Sequence, residues 1–292
     1  MWFLLCILQT WARNYVVVLQ SDTHEEYDIT TQSIIESLPG NVKRYQLQGS
    51  EERANSLGVE LQKDPPPLVY AIGAKAAYIS KKYLPQTPIV YSVIQEPKRF
   101  GIEGDNIYGV SMDVAIDLAL AQYRFFLPDL KKIGLIVGTQ ISDKKIKEIT
   151  SVGKEYGFEI YPITITNYKD IRNTLEPQLS EVDALWMTQD MSLLKDDLFF
   201  QISDMSKRYR KPLLTNSKAL TRAGGFLGVV LDFKKVGTMT AELGEALRKN
   251  QYDGEHILYT LDVEVVLNRT TQNAIGVQLP EHCQAFLSEE ME

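Results

Sequence analysis

Apolar positions along the chain fall into short runs rich in β-branched residues, separated by stretches with helical spacing. The clearest runs are residues 15–20 (YVVVLQ), 68–73 (LVYAIG), 89–94 (IVYSVI), 132–138 (KIGLIVG) and 184–190 (ALWMTQD). A strand that is apolar on both sides must be covered on both sides, which is the condition of a parallel strand in an α/β sheet. Further strands are expected at 42–47, 108–113, 159–165, 212–217, 226–232 and 259–267. Helices are expected at 27–37, 114–126, 143–156, 193–210 and 235–250, and Pro128 ends the second of these. From residue 268 onward the pattern gives a short helix and a tail.

The series divides in two, since residues 15–37 and 132–156 each open a strand–helix–strand–helix succession. Two doubly wound, Rossmann-like parallel-sheet lobes account for it better than one very wide sheet. Residues 114–126 then carry the chain from one lobe to the other.

Composition removes several functions. With 292 residues and 44% hydrophobic content the chain can bury a full core, and its net charge of -7 argues against a nucleic-acid surface. The basic cluster at 207–211 closes an expected helix, where cations favour the dipole. Cys6 and Cys283 are the only cysteines, and His24, His256 and His282 are scattered, so neither a disulfide framework nor a metal centre is expected. No cofactor is called for, because no nucleotide-binding glycine motif occurs. Residues 1–12 read as an N-terminal tail or the remnant of a signal sequence. No later run reaches the roughly 18 apolar residues of a membrane span, so the mature chain is expected to be soluble.

In an open parallel sheet, ligands bind beyond the carboxyl ends of the strands. Those ends supply Ser21, then Gly73, Ala74 and Lys75, then Ser92 and Val93, then Thr139, Thr188, Asp190, Asn216, Ser217 and Asp232. Most are small, hydroxylated or amide-bearing, which suits hydrogen bonding to a small polar molecule and offers no strong nucleophile. Gly73 permits a tight turn into a helix whose first amides would receive an anion. The alternative is that Gly73 and Ala74 only let the helix pack closely, with Lys75 in water. Asp190 either pairs with a ligand ammonium group or caps the following helix. Trp186 and Met187 read as core, and His24 as a surface loop residue near the first strand end.

These residues sit in fragments that together resemble a known family: YAIGAKAA, PIVYSVIQEP at 88–97, GVSMDV at 109–114, LPDLKKIGLIVG at 127–138, VDALWMTQD at 182–190 and KPLLTNSKALTRAGGFLGVVLDFKKVG at 211–237. Their order and spacing are similar to those of ABC transporter substrate-binding proteins with the type I periplasmic-binding fold, in the branch with tryptophan- and tyrosine-binding members. The resemblance runs over about residues 15–280. It implies two lobes joined by three hinge crossings near Asp113, Asp232 and Gly254, giving a first lobe of 13–113 plus 233–253 and a second of 114–232 plus 254–292. It also implies a non-enzymatic, monomeric, periplasmic receptor that closes on a small ligand, such as an amino acid or another carboxylate-bearing molecule, and delivers it to a membrane permease. The chain departs from the aromatic-binding members at Gly73-Ala74-Lys75, where they often carry a hydroxyl residue and proline. It departs again at Gln95-Glu96-Pro97, where they carry threonine and aspartate before the proline. A sensory protein of the same fold signalling to a protein partner, and a two-lobed α/β enzyme, are the alternative readings.

Overall fold

Val17, Val18 and Leu19 are wholly buried although neighbours along a strand point to opposite faces, so the strand they form is covered on both sides. The computed structural model describes residues 15–166, 170–187, 190–194 and 197–292. The tail at 1–12 with Cys6, and Thr188, lie outside the described residues. In chain order the elements begin β1 (Tyr15–Gln20), α1 (Glu25–Ser37), β2 (Asn41–Gln46), α2 (Glu51–Lys63), β3 (Val69–Ile72), α3 (Ala74–Tyr83), β4 (Ile89–Ser92) and β5 (Ile107–Val110). There follow α4 (Ile116–Phe126), β6 (Lys132–Val137), α5 (Asp143–Glu155), β7 (Glu159–Thr164), α6 (Ile171–Leu179), β8 (Ala184–Met187), α7 (Leu198–Arg208), β9 (Leu213–Thr215) and α8 (Lys218–Arg222). The last are β10 (Leu227–Leu231), α9 (Phe233–Arg248), β11 (Ile257–Leu258), β12 (Val263–Asn268), α10 (Arg269–Ile275) and β13 (Glu289–Met291).

The chain forms two compact units, one from Met1–Asp113 with Phe233–Thr260 and one from Val114–Asp232 with Leu261–Glu292. The first holds a sheet of order β11-β5-β4-β3-β1-β2 in which every pair is parallel. The second holds β13-β12-β10-β9-β8-β6-β7, parallel except where β12 runs against β10. Strands one to five of each unit thus follow the same order, 2-1-3-4-5, although their residues show no close repeat. The fold class is α/β with two parallel-sheet lobes.

Each sheet is covered twice. In the first unit Val17, Leu19, Ala71 and Tyr91 pack with Leu57 and Leu61 of α2 and Ile79 of α3. The alternate residues Val18, Tyr70, Ile72 and Val90 pack with Ile34 of α1 and with Ala241 and Leu243 of α9. In the second unit Leu135, Val137 and Trp186 meet Leu120 and Tyr123 of α4 and Ile149 of α5, while Ile136, Leu185 and Met187 meet Leu175 of α6 and Ile202 of α7. Trp186 and Met187 are therefore core.

Four expectations need correction. The chain leaves the first unit for the last time after Thr260, not near Gly254, because Ile257 and Leu258 pair beside Gly109 and Val110. The strand expected at 259–267 begins only at Val263. The helix expected at 193–210 is a 3-10 turn at Met191–Leu194 and then α7, parted by Asp197 at a φ of 57°. The tail also contains β13, held beside β12 where the Arg269 guanidinium grips Glu290 through both oxygens.

Tyr91 lies across Gly109 so closely that a Cβ there would stand 2.3 Å from its Cζ. Gly109→Ala is expected to lower the unfolding free energy by about 1–3 kcal/mol in equilibrium denaturation. Combined with Tyr91→Leu, its effect should fall below the sum of the two single changes, the sign of a shared contact.

Candidate functional site

Neighbouring strands β1 and β3 send the chain out on opposite faces, β1 into α1 and β3 into α3, so a crevice opens beyond their carboxyl ends. Gly73 makes the turn into α3 with φ 84° and ψ 161°, a conformation essentially confined to glycine. Its amide donates to the Ser92 carbonyl at 3.0 Å. Ser21, 5% exposed, lies just past β1, and its Oγ accepts from the Ala76 amide at 2.8 Å. Ala77 already donates to the Gly73 carbonyl, which leaves the Ala74 and Lys75 amides with no acceptor among the described residues. The α3 entry is thus an open pair of backbone donors at the positive end of a ten-residue helix.

Beside it lies a depression of about 830 Å³, wholly within the first unit and lined by Ser21, Asp22, His24, Tyr27, Ala74, Lys75, Tyr78 and Phe100 among others. Lys75 is half-buried here, and its Nζ donates to the Gly49 carbonyl, so it is not simply solvated. The exposed His24 sets its ring edge-on to Tyr27, 5.3 Å between centroids. Burial, with Asp22 and then Glu26 adding to it, pushes the Tyr27 phenol above its ordinary value and keeps it protonated. Tyr78 and Phe100 are about half exposed and give the depression an aromatic rim.

The other predicted residues of this unit contribute differently. The Val93 side chain packs into the apolar cluster on the α1 and α9 side, which corrects its assignment as a contact residue. Its φ of 57° is rare for a β-branched residue and turns the chain sharply after β4. Ser92 shares the face of Val90 and is fully buried, with its Oγ unpartnered among the described residues.

In the second unit the equivalent strand ends are closed by the protein itself. Asp190 Oδ2 accepts from the amides of Gly138, Gln140 and Ile141 at 3.0, 3.2 and 3.1 Å. Its Oδ1 accepts from the amide and hydroxyl of Ser192 at 2.9 and 2.5 Å, and Ser192 Oγ accepts in turn from the Thr139 amide at 2.9 Å. Five donors fill a carboxylate, so Asp190 organises the loop after β6, and its reading as a ligand ammonium partner is corrected. Ser217 is the N-cap of α8. Asp232 is half-buried between β10 and α9, its amide donating to the Asp262 carbonyl at 3.2 Å. Asn216 Oδ1 and Trp186 Nε1 are buried without a partner among the described residues.

The structure thus brings Ser21, Gly73, Ala74 and Lys75 together, gives Asp190 and Ser217 structural partners in the second unit, and engages Thr139 there through its amide while its side chain is exposed. Tyr27, Asp22 and Tyr78 also line the depression and were not singled out from the sequence, although Asp22 belongs to the strand end at 21–23. The signal for the first two was present: residues following a strand by one to seven positions, ahead of or within the first helical turn, ring its carboxyl end. Among the described residues no group of three His, Cys, Asp or Glu side chains could hold a metal, and no helix is long and apolar enough to cross a membrane.

The family model for the ABC transporter substrate binding protein matches residues 23–289. A tyrosine-binding protein of Clostridioides difficile (strain R20291) is 21% identical over 240 residues, covering 79% of this chain and 69% of its own. The ligand-free, open structure of a substrate-binding protein with adhesive properties from Clostridium difficile superposes with a TM-score of 0.77 at 18% identity, covering 96% of this chain and 100% of that one. A complex of an ABC domain with L-Trp from Streptococcus pneumonia gives a TM-score of 0.64 at 18% identity over 95% of this chain and 99% of that one. The likenesses show the type I periplasmic-binding fold.

Asp190→Ala would strand five donors, most of them buried, and is expected to cost at least about 2 kcal/mol of stability in urea denaturation. Asp190→Asn keeps one acceptor oxygen and should cost less. Equal stability of Asp190→Ala and the unchanged protein would remove the clamp described above.

Proposed function

The chain belongs to the family of ABC transporter substrate-binding proteins, and from that premise we propose that it is the extracytoplasmic solute receptor of an import system, taking up a free amino acid and handing it to a membrane permease. The observation that carries the reading is the α3 entry, where the unpaired amides of Ala74 and Lys75 and the hydroxyl of Ser21 stand together at the mouth of the depression. Ser21 accepts from Ala76, so its own proton is left to give outward. A ligand carboxylate seated there gains charge-assisted hydrogen bonds of about 1.5–3 kcal/mol each and a further contribution of about 0.3–1 kcal/mol from the helix dipole.

Asp22, at the edge of the same depression, supplies the negative partner for the ammonium group that Asp190 cannot supply. The rings of Tyr27, Tyr78 and Phe100 offer apolar surface to a side chain, in keeping with relatives whose names specify tyrosine and L-Trp. The family's members bind and release; no bond of the ligand is made or broken in this reading, and no cofactor enters it.

Thermal-shift measurement with the twenty free L-amino acids should give at least one clear stabilisation, since a ligand at 100 times its Kd adds about 2.7 kcal/mol. The amide of the same amino acid should bind at least tenfold more weakly, about 1.4 kcal/mol. Equal binding of acid and amide, or no stabilisation by any amino acid, would overturn the assignment.

A further inference from the structure

Gly73 is hemmed in from one side by two hydroxyl groups from different elements. A Cβ built on it would lie 2.7 Å from Ser21 Oγ and 2.7 Å from the Tyr27 hydroxyl, so both oxygens converge over the bare backbone of this one residue. Ser21 comes from the end of β1 and Tyr27 from the first turn of α1, on the opposite side of the sheet from α3. The two lie six positions apart, and it is the pairing of β1 with β3 that brings Gly73 beneath both.

The two hydroxyls differ in what holds them. Ser21 is tied by the Ala76 amide, whereas the Tyr27 hydroxyl has no hydrogen-bond partner among the described residues, although its ring is half-buried and packed against the apolar cluster of the α1 side. The exposed His24 ring stands edge-on to it from outside. A phenol with an unpaired proton thus borders the depression. We propose that Tyr27 is a specificity-determining residue that donates its phenolic hydrogen bond to the carboxylate of the bound amino acid, opposite Ser21 and across Gly73. The inference rests on the amino-acid reading given above.

The acidic surroundings favour this choice of donor. Asp22 and Glu26 both act on Tyr27, and a lysine or arginine in its place would be drawn to them and away from the ligand. A neutral phenol that burial and these carboxylates keep protonated donates without forming such a pair. The same hydroxyl has less to give to an uncharged carboxamide, so Tyr27 separates acids from amides.

The test is calorimetric titration of the full chain and its Tyr27→Phe variant with the tightest binder among the twenty free L-amino acids, and with the amide of that amino acid. Tyr27→Phe is expected to weaken binding of the acid at least tenfold and to leave the affinity for the amide within about twofold. Retained amide binding reports that the variant is folded. Unchanged affinity for the acid would overturn the role of Tyr27 and leave the receptor reading intact; equal loss of acid and amide would make Tyr27 structural. Failure of the unchanged protein to bind any of the twenty would overturn both readings.

Discussion

Adjacent parallel strands whose outgoing connections leave on opposite faces of a sheet cannot be covered by the same loop, and the chemistry of this protein collects where that happens. Because β1 and β3 are apolar on both sides, helices must lie on both faces, and polar groups are left the strand ends. At β1 and β3 the result is an opening: α1 departs one way, α3 the other, and Ser21, Tyr27 and the first amides of α3 border it. The second unit repeats the strand order but fills the equivalent position with the Asp190 carboxylate. One topology therefore yields an unfilled set of donors in one unit and a self-satisfied set in the other.

The open end is held from two sides. Gly73 donates to the Ser92 carbonyl, which ties the start of α3 to the neighbouring strand, and Ala76 donates to Ser21, which ties it to β1. Val93 follows Ser92 in a left-handed conformation that persists because its side chain is buried with Ile72 and Val90. Backbone that would be costly elsewhere is over-determined here by packing. Donors fixed in this way would need no reorganisation to receive the anion proposed above, which is the advantage of preorganised sites.

Much of the architecture was legible in the residues alone. Runs such as YVVVLQ and KIGLIVG are apolar on both faces for the reason just given, and they mark β1 and β6 from first to last or nearly so. The site was legible only where chemistry sits directly at a strand end, as at Ser21, Gly73 and Ala74. Tyr27 escaped although it lies seven positions after β1, because helical periodicity does not state which side of the first turn of α1 meets the strand ends. Of the two roles open to Asp190, capping is met at the 3-10 turn Met191–Leu194, where its carboxylate accepts from the Ser192 amide, but its further partners, the amides of Gly138, Gln140 and Ile141, come from some fifty positions earlier and have no local signal. For the same reason β13 looked like a tail: its pairing with β12 is secured by Arg269 and Glu290, a contact without a local signature.

The interleaving of the chain between its units also bears on the order in which the protein can assemble. Gly237 of α9 fits so tightly on α1 that a Cβ would stand 2.6 Å from the Thr30 carbonyl oxygen, and Ser33 donates to the Lys234 carbonyl at 2.6 Å. Until α9 has been synthesised, the face formed by Val18, Tyr70, Ile72 and Val90 has only Ile34 and its neighbours on α1 for cover. The first unit to begin emerging from the ribosome must therefore wait, with part of an apolar sheet face exposed, while the Val114–Asp232 stretch of the second is made. During that interval a chaperone has a defined hydrophobic surface to hold.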